Sequence, residues 1–301
     1  MEKRRQFNQG KCNWIQISSH NSDTITDLKE KYQLTDEILA YALDRHEQGR
    51  VEYDGDEGTL LVVFNVPFKK QPDNHYMTKP ITFILKEENI FTFTMKENEF
   101  IVPMIEGILH QHPDQSIYSL LFHSLLSISE SYFPLLEEIT AQRILLNDRL
   151  RTHTTNKNLI ALSDLSVGLV YLVTATKQNA MLLESIKTLE VYRKMKANEK
   201  EELDDALVEA KQADSMAQMA ADILRQLSST YNNLLNNNLN DTMKLLTVWS
   251  LLLTIPTIVT GFFGMNMDLP FTNSAFSWGI VVVISLGLSL WLLIILWRRI
   301  K

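Results

Sequence analysis

The carboxamide of Asn266, in the run Phe263-Gly264-Met265-Asn266-Met267, is a side chain suited to handling a small, hydrated divalent cation. An ion such as Mg2+ gives up its water reluctantly and keeps several waters when bound. Neutral amide oxygens accept hydrogen bonds from those waters and carry no full charge that would trap the ion. A ring of such amides, one per subunit, would hold the hydrated ion from outside. Gly264 is expected to supply a positive-φ backbone that ends a helix and aims the next residues across an axis, with Met265 packed behind. Asp268, the one acid of the following loop, reads as a solvated residue or as a means of concentrating cations at a mouth.

Two apolar runs must position this segment. Residues 245–263 and 276–297 carry no charge, and each matches the ~20 residues that cross a bilayer core. The chain therefore predicts a C-terminal membrane hairpin. The loop over 264–275 holds no Lys or Arg, whereas Lys244 precedes the first run and Arg298, Arg299 and Lys301 follow the second. That basic flank places both termini in the cytoplasm, and with them the long N-terminal part. No apolar stretch follows the basic start Met1 to Gln6, so membrane targeting is expected from the C-terminal helices themselves.

One hairpin cannot enclose an ion path, so several copies must surround an axis, with a small or polar helix face turned inward. The first apolar run has such a stripe in Asn240, Met243, Leu246 or Thr247, Ser250, Thr254, Thr257 and Gly261, at three- and four-residue steps. Ser285 and Ser289 are the main polar residues of the second run. The first helix is thus expected to line a pore and the second to face lipid.

A Gly-Met-Asn directly after the first of two C-terminal membrane helices resembles the CorA-type magnesium channels, and the resemblance extends to a large acidic domain followed by one long helix. Phe263 and Met267 stand where many members have Tyr and Phe, both apolar changes beside the motif. The resemblance implies a homopentamer in the cell membrane that passes Mg2+, and also Co2+ and Ni2+. Gly264, Met265 and Asn266 would form the selectivity filter, with Asn266 holding hydrated Mg2+. Asn240, Met243, Leu246, Thr254 and Thr257 would look into the pore, Met243 and Leu246 as an apolar constriction.

The fold class expected is an α+β membrane protein. A cytosolic α/β domain over 1–100 precedes a helical hairpin over 101–200 and a stalk helix over 201–244. The spans 245–263 and 276–297 flank the loop 264–275, and a basic tail occupies 298–301. Within the first domain, 34–45 reads as a helix capped by Thr35, with Asp36 and Glu37 in its first turn. The segments 14–17, 60–66, 80–85 and 90–94 read as strands, the last two joined by a turn at 86–89. Residues 116–151 keep helical periodicity, with a kink expected at Pro134. From about Glu201 no Pro or Gly intervenes until Pro256, so a helix of ~55 residues, or ~80 Å, could enter the membrane directly.

The chain has 301 residues and a net charge of −7. A nucleic-acid partner would need a clustered basic face, which this balance argues against; an acidic surface attracts cations instead. With one cysteine, Cys12, no disulfide framework or cysteine metal site can form within the chain. Asp205 belongs to an acidic segment that is commonly just a solvated face. The family resemblance implies that it pairs across subunits with an N-terminal acid, Asp36 or Glu37 being the nearest matches, to hold a regulatory Mg2+ that keeps the pore shut. His110-Gln111-His112 brings two imidazoles close, but Pro113 follows and no third ligand is near in sequence. No Walker motif or nucleophile constellation is visible, so an enzyme is not expected. Other readings are a zinc transporter of the same superfamily, against which Met265 speaks, and a membrane-anchored scaffold or signalling protein, against which the polar stripe speaks.

Overall fold

The structure, a computed structural model, describes residues 2–18, 28–70, 75–152, 155–265 and 277–300. The chain divides into two compact units, Met1–Ser228 and Ser229–Lys301.

In the first unit, β1 (Glu2–Phe7), β2 (Cys12–Ser18), β3 (Arg50–Asp54), β4 (Thr59–Lys70), β5 (His75–Lys86) and β6 (Asn89–Thr94) form one sheet in the order β1-β2-β6-β5-β4-β3. Neighbours are antiparallel except β2 and β6. Leu60, Val62, Phe64 and Val66 of β4 belong to the core on one face, and Leu61 and Val63 to the core on the other. Because both faces are covered, β4 reads from Leu60 to Phe64 as an unbroken apolar run rather than an alternating one. The turn expected over four residues tightens to two, Glu87 and Glu88, between paired Lys86 and Asn89.

β1 and β3 escape the apolar pattern that reveals the other four strands. β1 pairs along its length with β2 and sits at the sheet edge. Its Arg4 guanidinium donates to Asn13 Oδ1 at 2.8 and 3.0 Å, and Arg5 pairs with Glu106 at 2.5 Å. Charged side chains on an edge strand discourage pairing with another chain.

Helix α1 (Asp36–Leu43) begins where the Thr35 hydroxyl accepts the Ile38 N–H at 3.4 Å. Its Leu39 and Ala42 pack over Ile15, Leu61 and Phe91. The opposite face is covered by α2 (Ile101–Gln111) and α3 (Ile117–Glu130), with later helices. The long helix expected over 116–151 is divided in two: α3 ends at Glu130, capped by Ser131, and α4 (Tyr132–Thr152) begins directly after. The interruption falls ahead of Pro134 for a physical reason. Starting α4 at Tyr132 puts the proline in a first turn, where the missing N–H has no helical partner to lose.

α5 (Asn156–Ile186) lies on β4 and β5. A Cβ on its Gly168 would stand 3.1 Å from the Tyr76 side chain, a contact tight enough that Tyr76 would have to shift. α6 (Glu190–Lys194) is a short link, and α7 (Ala197–Phe263) is a single helix of 67 residues that contains Pro256. It begins four residues before the expected Glu201.

The second unit comprises the rest of α7 and α8 (Ser277–Ile300). Among the described residues three helices are long and apolar enough to cross a membrane: Asn156–Ile186, Ala197–Phe263 and Trp278–Leu296. The first of these buries Leu162, Leu165, Leu169, Leu172 and Leu183 in the first unit.

Candidate functional site

Within the second unit, α7 has two faces. Val259 is buried, and Val248, Leu252, Ile255 and Phe263 are half-buried. Ile255, Ile258 and Val259 share a crevice with Leu288, Trp291 and Leu292 of α8. The residues of the polar stripe, Asn240, Met243, Leu246, Ser250, Thr254, Thr257 and Gly261, are all exposed. At about 100° per residue, the centres of the two sets lie roughly 160° apart around the helix. α8 thus covers the side opposite the stripe. At the N-terminal end of the stripe, Asn237, Asn240, Met243, Lys244 and Thr247 line a groove of about 740 Å3 closed on one side by Leu296.

The hydroxyls of the stripe are not idle. Thr247 donates to Met243 O at 2.8 Å, Thr254 to Ser250 O at 2.7 Å and Thr257 to Leu253 O at 2.9 Å. Back-bonding of this kind satisfies the hydroxyl proton inside its own helix. Each oxygen keeps lone pairs that face outward and can accept. Such acceptors match the hydrogens that a cation's bound waters present.

The filter segment is described as far as Met265. Gly264 N–H donates to Thr260 O at 2.9 Å, so helical bonding continues through the glycine. Its φ is not positive; among the described glycines only Gly10 and Gly58 have that conformation. The expectation of a left-handed helix end at Gly264 is corrected accordingly. The absence of a side chain matters for another reason, since a Cβ there would stand 3.1 Å from the Thr260 carbonyl oxygen. Asn266 and Asp268 lie outside the described residues.

The acids expected to hold a regulatory ion are separate within one chain. Asp36 is ion-paired with Lys29, and Glu37 accepts the Tyr41 hydroxyl at 3.2 Å. Asp205 is exposed on α7. Among the described residues no three or more His, Cys, Asp or Glu side chains are gathered to hold a metal ion. His123, on α3, was not singled out in the sequence, yet its ring stacks on His112 at 4.9 Å.

A cobalt/magnesium transport protein CorA from Methanocaldococcus jannaschii is 23% identical over 268 residues, covering 87% of this chain and 82% of that protein. A protein of the same name from Thermotoga maritima is 22% identical over 291 residues, 90% and 78% of the two chains. The complete structure of the CorA magnesium transporter from Methanocaldococcus jannaschii superposes with a TM-score of 0.80 at 21% identity, covering 98% of this chain and 92% of that one. The fold is therefore shared along almost the whole length. The model of the CorA-like Mg2+ transporter proteins matches residues 9–301, and with a match of that extent the chain belongs to this family.

Proposed function

We propose that the chain is one subunit of a homopentameric channel in the cell membrane that admits Mg2+ down the inside-negative potential. In this reading α7 and α8 form the membrane hairpin, with both termini cytoplasmic. The observation that carries it is the placement of the polar stripe on the face of α7 opposite α8, free to meet the same face of other copies around an axis. Met243 and Leu246, 64% and 59% exposed in the single chain, would meet their counterparts as an apolar constriction that dewets when tight. Gly264, Met265 and Asn266 form the filter, and Co2+ and Ni2+ pass by the same route. Asp205, with Asp36 or Glu37 of a neighbouring subunit, holds a regulatory Mg2+. Loss of that ion leaves carboxylates repelling one another and loosens the ring.

Mg2+ entry into liposomes carrying the purified protein tests this, with Asn266→Ala and Zn2+ measured in parallel. Mg2+ flux that disappears in the variant supports the channel and its filter together. Zn2+ flux alone would move the function to zinc transport, and no flux of either ion under an applied potential would leave an anchored scaffold.

A further inference from the structure

A cavity of about 620 Å3 opens in the first unit where α7 begins, bordered by His112, Gln115, His123, Glu199 and Glu202 among others. His112 closes the C-terminal end of α2, and His123 stands on α3. Their rings stack with centroids 4.9 Å apart and planes 17° from parallel. Gln115 Oε1 lies 2.9 Å from His123 Nδ1. An amide oxygen can only accept, so Nδ1 carries the hydrogen and Nε2 keeps its lone pair.

Two acids enter this cavity from the first turns of α7, and they differ. Glu199 is satisfied: one oxygen accepts the Ser116 hydroxyl at 2.7 Å and the other the Lys196 N–H at 2.7 Å. Glu202 is not. Its Oε2 is enclosed and has no hydrogen-bond partner, and the same is true of Gln115 Nε2. Lys11 and Lys196 border the cavity, yet neither reaches that oxygen. A carboxylate oxygen removed from water without a donor is costly, and a cation in the cavity would remove the cost.

We propose that this cavity binds one borderline transition-metal dication of the Co2+, Ni2+ or Zn2+ type, through the His112 and His123 imidazoles and the Glu202 carboxylate. Imidazole ligands favour such ions, whereas Mg2+ prefers an all-oxygen shell. The three side chains do not already converge on one point. His112 is exposed and free to turn toward the ion. Gln115 is a positioning residue, fixing the His123 ring by its hydrogen bond. The site is chemically distinct from the proposed filter and from Asp205, and it does not depend on Mg2+ conduction. Occupancy would tie the α2–α3 loop and α3 to the start of α7.

The test is Co2+ titration of the purified full-length protein in detergent, in a large excess of Mg2+, read by the visible absorption of nitrogen-ligated Co2+. About one Mg2+-resistant Co2+ per chain is expected. His123→Ala should abolish the band and His112→Ala should weaken binding at least tenfold. Gln115→Ala, which touches no ion, should weaken it by about ten- to a hundredfold. Far-UV circular dichroism accompanies each variant, and the exposed His112 gives a variant that does not disturb the core. Absence of Mg2+-resistant Co2+ would overturn the proposal. Co2+ retained with an unchanged band in both histidine variants would overturn it as well.

Discussion

Asn65 of β4 faces Pro80 of β5 across the sheet, and side chains from elsewhere supply what the proline lacks. Pro80 has no N–H to give, so the Asn65 carbonyl accepts the Tyr132 hydroxyl at 2.9 Å and Asn179 Nδ2 at 2.9 Å. The Asn65 N–H turns to Asn179 Oδ1 at 2.9 Å, and the Pro80 carbonyl accepts Asn98 Nδ2 at 2.8 Å. A gap in the ladder has become the junction that fastens α4 and α5 to the sheet. Tyr132→Phe removes one donor and leaves the other, so it should cost about 1 kcal/mol. Asn179→Ala strands a buried N–H as well and should cost about 1–3 kcal/mol. Thermal unfolding of the solubilised protein compares them; equal midpoints for the two variants would contradict this account.

The two faces of α7 should respond differently to substitution. Thr254→Val keeps the shape and removes an outward acceptor, a loss of about 1 kcal/mol, or roughly fivefold in Mg2+ flux, with the thermal midpoint unchanged. Val259→Ala lies under α8 and should instead lower the midpoint, with less effect on flux. The reverse pattern would place α8, rather than the ion path, against the threonines.

Asp205→Asn removes one charge from the proposed regulatory pair. The variant should conduct at internal Mg2+ levels that close the wild type, while its flux at low Mg2+ stays the same. Closure at the same Mg2+ level would show that Asp205 has no part in gating.

Cys12 should behave as an inert thiol. Burial, reinforced by its hydrogen bond to Glu88 Oε2 at 3.2 Å, pushes it from 9.0 up to about 11. At a given pH the thiolate is then about a hundredfold scarcer than in the unfolded chain, and alkylation near pH 8 should be slow until the protein unfolds. Glu88→Gln should speed it. Between 9.0 and about 11 the folded state keeps a proton that the unfolded state has lost. Stability is therefore complete below 9.0 and declines as pH rises through that interval. Cys12→Ala should flatten this part of the midpoint-versus-pH curve.

The residues that announce themselves in sequence do so through local rules. Thr35 before two acids marks a helix start, and the apolar run 60–66 marks a strand covered on both sides. The apolar end of α7 and the apolar run of α8 follow from uninterrupted hydropathy. β1 is hidden because Glu2, Lys3, Arg4 and Arg5 mask the alternation; of its side chains only Phe7 enters the core, and its pairing is with β2. His123 was invisible as a partner of His112 because the turn between α2 and α3 brings them together, and spacing along the chain does not encode that. The conformation of Gly264 was misread for a related reason. A glycine at a helix end suggests a left-handed turn, but here it makes room beside the Thr260 carbonyl.

The back-bonded threonines of α7 also bear on the sign of charge that such a lining admits. Thr247, Thr254 and Thr257 have each committed their only hydrogen to the helix. An anion is solvated by donors and would find none at these three levels. A hydrated cation needs acceptors and would find them at each. In the proposed pore these uncharged rungs would repel chloride and phosphate without a carboxylate that could bind Mg2+ and halt its passage.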